Sequence, residues 1–298
     1  MQRMRVVIAG GSGFLGSALV SRLQQQGHSA AVLTREPTHS DHVRWDPYGA
    51  PTRWAHAFED ADAVVNLAGA RIDKRWTAAH KRAMWNSRVH VTRSLVAAMR
   101  SLRRIPPALL NASAVGIYGA HDDEPITEEH AAAGAGFLAG LGVAWETEAL
   151  AATPEARVVL LRTGVVLARD GGALPQLALP FRLFAGGLVG SGRQYMSWIH
   201  RDDWTGLVVW ALTNTAVSGP LNVTAPNPVT NAEFSRILGR VLRRPALVPA
   251  PAFAVRLLLG EMAEVALTGQ RVLPEKARAL GFEFRYPLLE PALRAIYA

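Results

Sequence analysis

The chain has 298 residues and not one cysteine, which excludes disulfides, thiolate zinc sites and a cysteine nucleophile, and leaves the redox compartment open. It also lacks any apolar run near the roughly 20 residues that would span a bilayer. The short apolar stretch after Met1-Gln2-Arg3-Met4-Arg5 meets Gly10 and Gly11 at once, leaving no room for a signal-peptide core. These absences predict a soluble, cytoplasmic protein with no membrane partner. A dense basic tract is missing too: the formal net charge is +8, but the Arg and Lys residues are scattered among acidic and apolar positions. That pattern suits a solvated surface with sites for a phosphorylated ligand better than a nucleic-acid interface. No His, Asp or Glu cluster has metal-ligand spacing, so no metal is expected.

What is present is enough apolar sequence, 49% of residues, for one large α/β domain or a domain with an appendage. Arg5 to Ala9 is β-rich. Gly13 to Gln26 has helical spacing, with Leu15, Leu19, Val20 and Leu23 on one face, and Ser29 to Leu33 is apolar again, completing a βαβ unit. Strands are expected at His42 to Trp45, Asp62 to Leu67, Leu109 to Ser113, Val158 to Arg162 and Pro220 to Val223. Helices are expected at Thr77 to Leu102, Ala144 to Ala152 and Trp204 to Leu212. Strands alternating with helices predict a Rossmann-type, doubly wound parallel sheet. Residues 1–168 are expected to form the dinucleotide-binding domain, with 205–224 returning to its sheet, and 169–298 a smaller C-terminal α/β portion on the substrate side.

Gly10-x-x-Gly13-x-x-Gly16 follows a strand and opens a helix, the context in which a glycine loop binds a dinucleotide. Small residues let the backbone approach a pyrophosphate, which free N–H groups and the positive end of the helix dipole receive. The expected contacts are Gly10, Ser12, Gly13, Phe14, Leu15 and Gly16. NAD-preferring proteins of this architecture place an acid at the end of the second strand, for the adenosine ribose. Thr34 stands there, followed by Arg35, and a guanidinium suits a 2′-phosphate that would repel a carboxylate. Thr34 and Arg35 therefore point to NADP(H). Glu36 is the competing acid, set past the apolar run and before Pro37.

With these features the chain resembles the extended short-chain dehydrogenase/reductase superfamily. Asn66-Leu67-Ala68-Gly69, "SAVGIYG" from Ser113 and "WIHRDD" from Trp198 match its patterns. More closely it resembles that group's "epimerase family" proteins, through "DKRW" at Asp73, "LRTGVVLARDGG" at Leu161, "PFRL" at Pro180, "GSGRQYMSWIH" at Gly190 and "TGQRVLP" at Thr268. The resemblance covers essentially the whole chain. It implies that Leu67, Ala68 and Gly69 line the cofactor, that Arg88 in "NSRVHVT" faces it, and that Arg162 to Val165 border the nicotinamide. An ordinary exposed helix cation is the other reading of Arg88.

The resemblance also implies a Ser, a Tyr and a Lys four residues after that Tyr. Ser113 fits the serine, although a small hydroxyl there could simply satisfy local backbone groups. The window for the other two, Phe137 to Glu148, reads "FLAGLGVAWETE" and holds neither. Tyr118 is a substitute candidate and otherwise a packing residue. Glu146 could act as a base if partly buried, or merely cap or pair, and His200, Asp202 and Asp203 read as scaffold. Arg71, Lys74, Arg75, Arg182 and Arg193 could hold an anionic small-molecule substrate or be surface, while Trp76 and Trp198 could be core. The implied activity is that of an NADP(H)-dependent oxidoreductase or nucleotide-sugar epimerase without the usual Tyr-x-x-x-Lys pair. The alternative is a non-catalytic NADP(H)-binding regulatory protein. A homodimer is compatible with the sequence.

Overall fold

The computed structural model describes residues 3–50, 53–130 and 134–298; Met1 and Gln2 of the expected N-terminal domain lie outside them. Seven strands form one sheet: β1 (Arg5–Ala9), β2 (Ser29–Thr34), β3 (His42–Arg44), β4 (Ala63–Asn66), β5 (Ala108–Ala114), β7 (Arg157–Thr163) and β11 (Gly219–Val223). Their spatial order is β11-β7-β5-β4-β1-β2-β3, and every pairing is parallel. The order reverses direction between β1 and β4, which creates the crevice at the strands' carboxyl ends where ligands bind in open parallel sheets.

Both faces of such a sheet are covered, so its strands read as apolar runs. On one face α1 (Phe14–Gln25) lays Leu19 and Leu23 against Val6 and Ile8, and α6 (Arg201–Thr213) adds Trp204, Leu207 and Val208. Each fully buried leucine of this kind is worth about 1.5–3 kcal/mol. The other face is closed by α3 (Val91–Arg100), through Leu95, Val96 and Met99, and by Ala149 of α4 (Phe137–Leu150).

Two helix expectations need correction. The segment from Thr77 is not one uniform helix: α2 (Ala78–Trp85) passes into α3 through a π turn, Asn86–His90. Thr77 does cap α2, its side chain accepting from His80 N. The helix expected at Ala144 to Ala152 begins seven residues earlier, because "FLAGLGVAW" is apolar on all sides and shows no single stripe to mark its start.

The rest of the chain is built from short pieces. β6 (Pro125–Ile126) pairs with β13 (Arg271–Val272), β8 (Val165–Leu167) with β10 (Trp198–His200), and β9 (Tyr195–Met196) with β12 (Val229–Thr230). Helices α5 (Leu174–Arg182), α7 (Asn231–Leu242) and α11 (Leu289–Tyr297) share a separate core of Leu174, Phe181, Phe234, Leu238 and Leu293. Helices α8 (Ala252–Leu259) and α9 (Ala263–Leu267) lie toward α2 and α4, with Met262 packed beside Trp76, Met84 and Leu141; α10 (Glu275–Ala279) follows β13. Among the described residues no helix is long and apolar enough to cross a membrane.

Candidate functional site

The glycine loop turns from β1 into α1 with Gly10 at φ +77°, a conformation that favours glycine. A Cβ on Gly10 would lie 2.9 Å from the Leu67 backbone, and one on Gly16 2.3 Å from the Gly10 carbonyl oxygen. Those two glycines are required by packing alone. Gly13 is different: its φ is an ordinary −80°, and a Cβ would meet only the Gly10 oxygen, at 3.2 Å. The chain itself makes little demand for glycine there, whereas a ligand resting on the backbone would. Gly13 caps α1 without a side-chain bond and no acid occupies the first turn, so the helix end remains available to an anion. Ser12 is exposed beside it. Phe14 packs against Gly171 and Gly172 and lies under the Arg201 guanidinium at 5.5 Å, and Leu15 is half-buried against the sheet core.

Leu67 continues from β4, its N–H donating to the Ala9 carbonyl, and Ala68 N donates to Asn66 Oδ1. Asn66 is anchored by its own amide, which donates to Thr92 Oγ1 and Asn111 Oδ1. Gly69 then meets the π turn. A Cβ on Gly69 would lie 3.0 Å from the Arg88 guanidinium carbon, and Ala70 N donates to Ser87 Oγ at 2.9 Å. The extra residue of a π turn reorients side chains locally, and such turns recur at functional sites. Here it presents Ser87 and Arg88 to the loop after β4. Arg88 lies over the Trp145 ring at 5.1 Å and donates to the Met84 carbonyl. Among the described residues no carboxylate pairs with it. Burial lowers it to about 10. A desolvated, unpaired cation beside a glycine loop fits an anionic ligand, and the exposed-cation reading of Arg88 does not hold.

At the end of β2, Thr34 is buried and its Oγ1 accepts from Glu36 N at 3.3 Å, so the hydroxyl serves the turn. Arg35 is exposed. Arg44, which sequence reading missed, stands beside Thr34 in the β2–β3 register, with Nη1 3.5 Å from the Arg35 carbonyl oxygen. Its nearness to Arg35 is set by strand pairing across nine residues, which no local pattern signals.

Ser113 and Arg162 are register neighbours on β5 and β7. Glu146 of α4 reaches both: Ser113 Oγ donates to Glu146 Oε1 at 2.6 Å, Arg162 Nε donates to the same oxygen at 2.9 Å, and Arg162 Nη2 donates to Oε2 at 2.8 Å. Arg162 Nη1 donates to the Tyr118 hydroxyl at 2.9 Å, and that hydroxyl donates to Asn222 Oδ1 at 2.8 Å. All five side chains are buried. Burial alone would lower the Arg162 guanidinium, but its bonds to Glu146 and Tyr118 outweigh that and hold it above its ordinary value. Burial pushes the Tyr118 phenol up, with Arg162 offsetting only part, so Tyr118 stays protonated at neutral pH and is no phenolate base. Val165 begins β8 just beyond, half-buried, its N–H donating to the Ser197 carbonyl.

The remaining candidates divide. Arg71 is held in a bidentate pair by Asp73, whose carboxyl that contact lowers to about 2, and Arg182 lies 5.9 Å from the Tyr297 ring centroid. Trp76 and Trp198 are buried, their indole N–H groups donating to the Ile72 and Asn227 carbonyls. His200 caps α6 by accepting from Asp202 N, and the Asp203 carboxylate accepts from Arg285 N and Tyr286 N, so "HRDD" is scaffold. Among the described residues no group of His, Asp and Glu has a metal-binding arrangement.

The chain is similar to known proteins along nearly its whole length. Residues 6–224 match the NAD dependent epimerase/dehydratase family, and residues 250–296 match a domain of unknown function, DUF1731. An Arabidopsis thaliana relative, "Epimerase family protein SDR39U1 homolog, chloroplastic", is 42% identical across 99% of this chain and 87% of its own length. The crystal structure of human epimerase family protein SDR39U1 (isoform 2) with NADPH superposes with a TM-score of 0.91 at 34% identity, covering 98% of this chain and 99% of that one. A nucleoside-diphosphate sugar epimerase from Corynebacterium glutamicum gives 0.81 at 34% identity, covering 98% of this chain and 57% of that one.

Proposed function

Because the chain belongs to the NAD dependent epimerase/dehydratase family, we propose that it binds NADP(H) and transfers a hydride to or from a small-molecule substrate, as an oxidoreductase or as an epimerase working by transient oxidation. The observation that carries this is the unpaired Arg88 guanidinium pressed against Gly69, beside a glycine loop whose Gly13 leaves room for a ligand. NADPH in the human relative's structure supports the choice of cofactor. The backbone of Gly10 to Gly16 would receive the pyrophosphate with Arg88 nearby, and Arg35 with Arg44 would meet the 2′-phosphate. Bound there, the cofactor would supply or accept a hydride.

With the adenosine over β2 and β3, the other half of a dinucleotide extends across β4, β5 and β7. Ser113 ends that path, and it is the group placed to touch a substrate oxygen. Tyr118 acts one step back, holding Arg162. The absence of Tyr and Lys from the window at 137–148 supports slow turnover of ordinary carbonyls. It does not favour a purely regulatory role, because a hydroxyl, a carboxylate and a guanidinium are assembled in their place.

NADPH near 100 times its dissociation constant is expected to stabilise the fold by about 2.7 kcal/mol over the ligand-free protein in thermal melts, and NADH at the same concentration by less. Arg35→Ala should narrow that difference, and equal shifts from both cofactors in the parent protein would refute the assignment.

A further inference from the structure

The buried group at the ends of β5 and β7 has a direction and a polarity. Its direction follows from Ser113, whose single hydroxyl proton is committed to Glu146 at 2.6 Å. To anything above it, Ser113 therefore offers lone pairs and no donor. A substrate hydroxyl satisfies such a group; a carbonyl oxygen, which only accepts, does not. Tyr118 offers no alternative donor, because its proton is spent on Asn222. The polarity follows from the order of the charges. Glu146 is turned to Ser113, while Arg162 reaches past it to Tyr118 and, through the phenol, to Asn222 of β11. The Glu146 carboxylate thus touches Ser113, near the end of β5 where the hydride-carrying half of a dinucleotide would rest, while both its oxygens are also held by Arg162.

We propose that Ser113, backed by Glu146, is the proton-accepting unit of this site, with Arg162 as its fixed counter-cation, so that the site is poised for a substrate carbinol and the oxidised cofactor. The proposal rests on the NADP(H) reading above and deepens it. In the step it implies, the carbinol C–H bond breaks with its electron pair leaving as hydride to the nicotinamide. The O–H proton passes to Ser113 Oγ as the Ser113 proton passes to Glu146 Oε1, and a carbon–oxygen double bond remains. Ser113 is the catalytic residue of this scheme. Glu146 is the final proton acceptor behind it, and Arg162 is the positioning residue that holds the Glu146 carboxylate.

A readout that needs no substrate separates this from a merely structural ion pair. The oxidised nicotinamide carries a positive charge that the reduced ring lacks, so a carboxylate standing one hydroxyl behind the substrate favours NADP⁺ selectively. Binding of NADPH and of NADP⁺ is measured by calorimetry on the full chain and on Glu146→Gln, which keeps the shape and removes the charge. Affinity for NADP⁺ should fall about fivefold, near 1 kcal/mol, while that for NADPH stays within about twofold, and Glu146→Asp should recover part of the loss. If Glu146→Gln does not fold, the double variant Glu146→Gln/Arg162→Gln removes both charges together and reads the same ratio, with the same sign expected and a smaller size. Equal changes in both affinities, or none, would overturn the proposal while leaving the NADP(H) reading intact. Failure of the parent protein to bind either cofactor would overturn both.

Discussion

Arg88 shows how one residue can be costly to the fold and useful to a ligand. Its guanidinium is lowered to about 10 by burial, with the Met84 carbonyl and the Trp145 ring as its partners among the described residues. Keeping that charge out of water opposes folding, and a phosphate would relieve the penalty on binding. Arg88→Met should therefore raise the stability of the ligand-free protein by about 1 kcal/mol while weakening NADPH binding tenfold or more, about 1.4 kcal/mol. Melts with and without NADPH check both halves. A less stable variant with undiminished affinity would make Arg88 a packing residue instead.

The strand, loop and first helix form an element in which three glycines do two kinds of work. A side chain on Gly16 would run into the Gly10 and Gly11 backbone at 2.3 and 2.6 Å, and backbone cannot yield as a side chain can. Gly16→Val should cost about 2–4 kcal/mol, visible as a lowered urea midpoint. At Gly13 an added Cβ meets Gly10 O at 3.2 Å, so in Gly13→Val stability should change by less than about 1 kcal/mol while NADPH binding, followed by fluorescence, is abolished. If Gly13→Val bound NADPH normally, the loop would be only a turn. The π turn between α2 and α3 is the second element that matters. Without its extra residue, Ser87 and Arg88 would not face Ala70 and Gly69 together.

Across the whole molecule, the C-terminal segment is tied back to the sheet by polar contacts as well as packing. Asp203 on α6 accepts the backbone N–H groups of Arg285 and Tyr286, at 2.9 and 2.8 Å. Burial raises its carboxyl and those two bonds pull it back. Lys276 donates to the Ser218 and Pro220 carbonyls beside β11, and Lys81 pairs with Glu261 across α2 and the turn before α9. Asp203→Ala would leave two N–H groups without their acceptor, at a cost of about 2–4 kcal/mol. Limited proteolysis should then cut the chain near 285 well before the parent protein is cut there. Unchanged proteolysis and an unchanged melting temperature would show that the segment is anchored elsewhere.

Local pattern alone determined that this chain is a parallel α/β protein with a dinucleotide loop. The apolar runs from Val6 to Ile8 and Val64 to Val65 and the spacing of Gly10, Gly13 and Gly16 are readable within a few residues, because backbone geometry imposes them there. The early start of α4 was not legible, since a helix buried on several sides shows no stripe. Nor was the state of any charge. Glu146 could have been a base, a cap or a partner, and Arg88 a surface cation. Only tertiary structure decided that Glu146 is bound to Arg162 and Ser113 while no carboxylate among the described residues pairs with Arg88. The partners are brought together by the register of β5 on β7 and the placement of α4, with Ser113 and Glu146 33 positions apart in the chain. Electrostatic pairing depends on distances of a few ångströms in space, and separation along a sequence carries no such information.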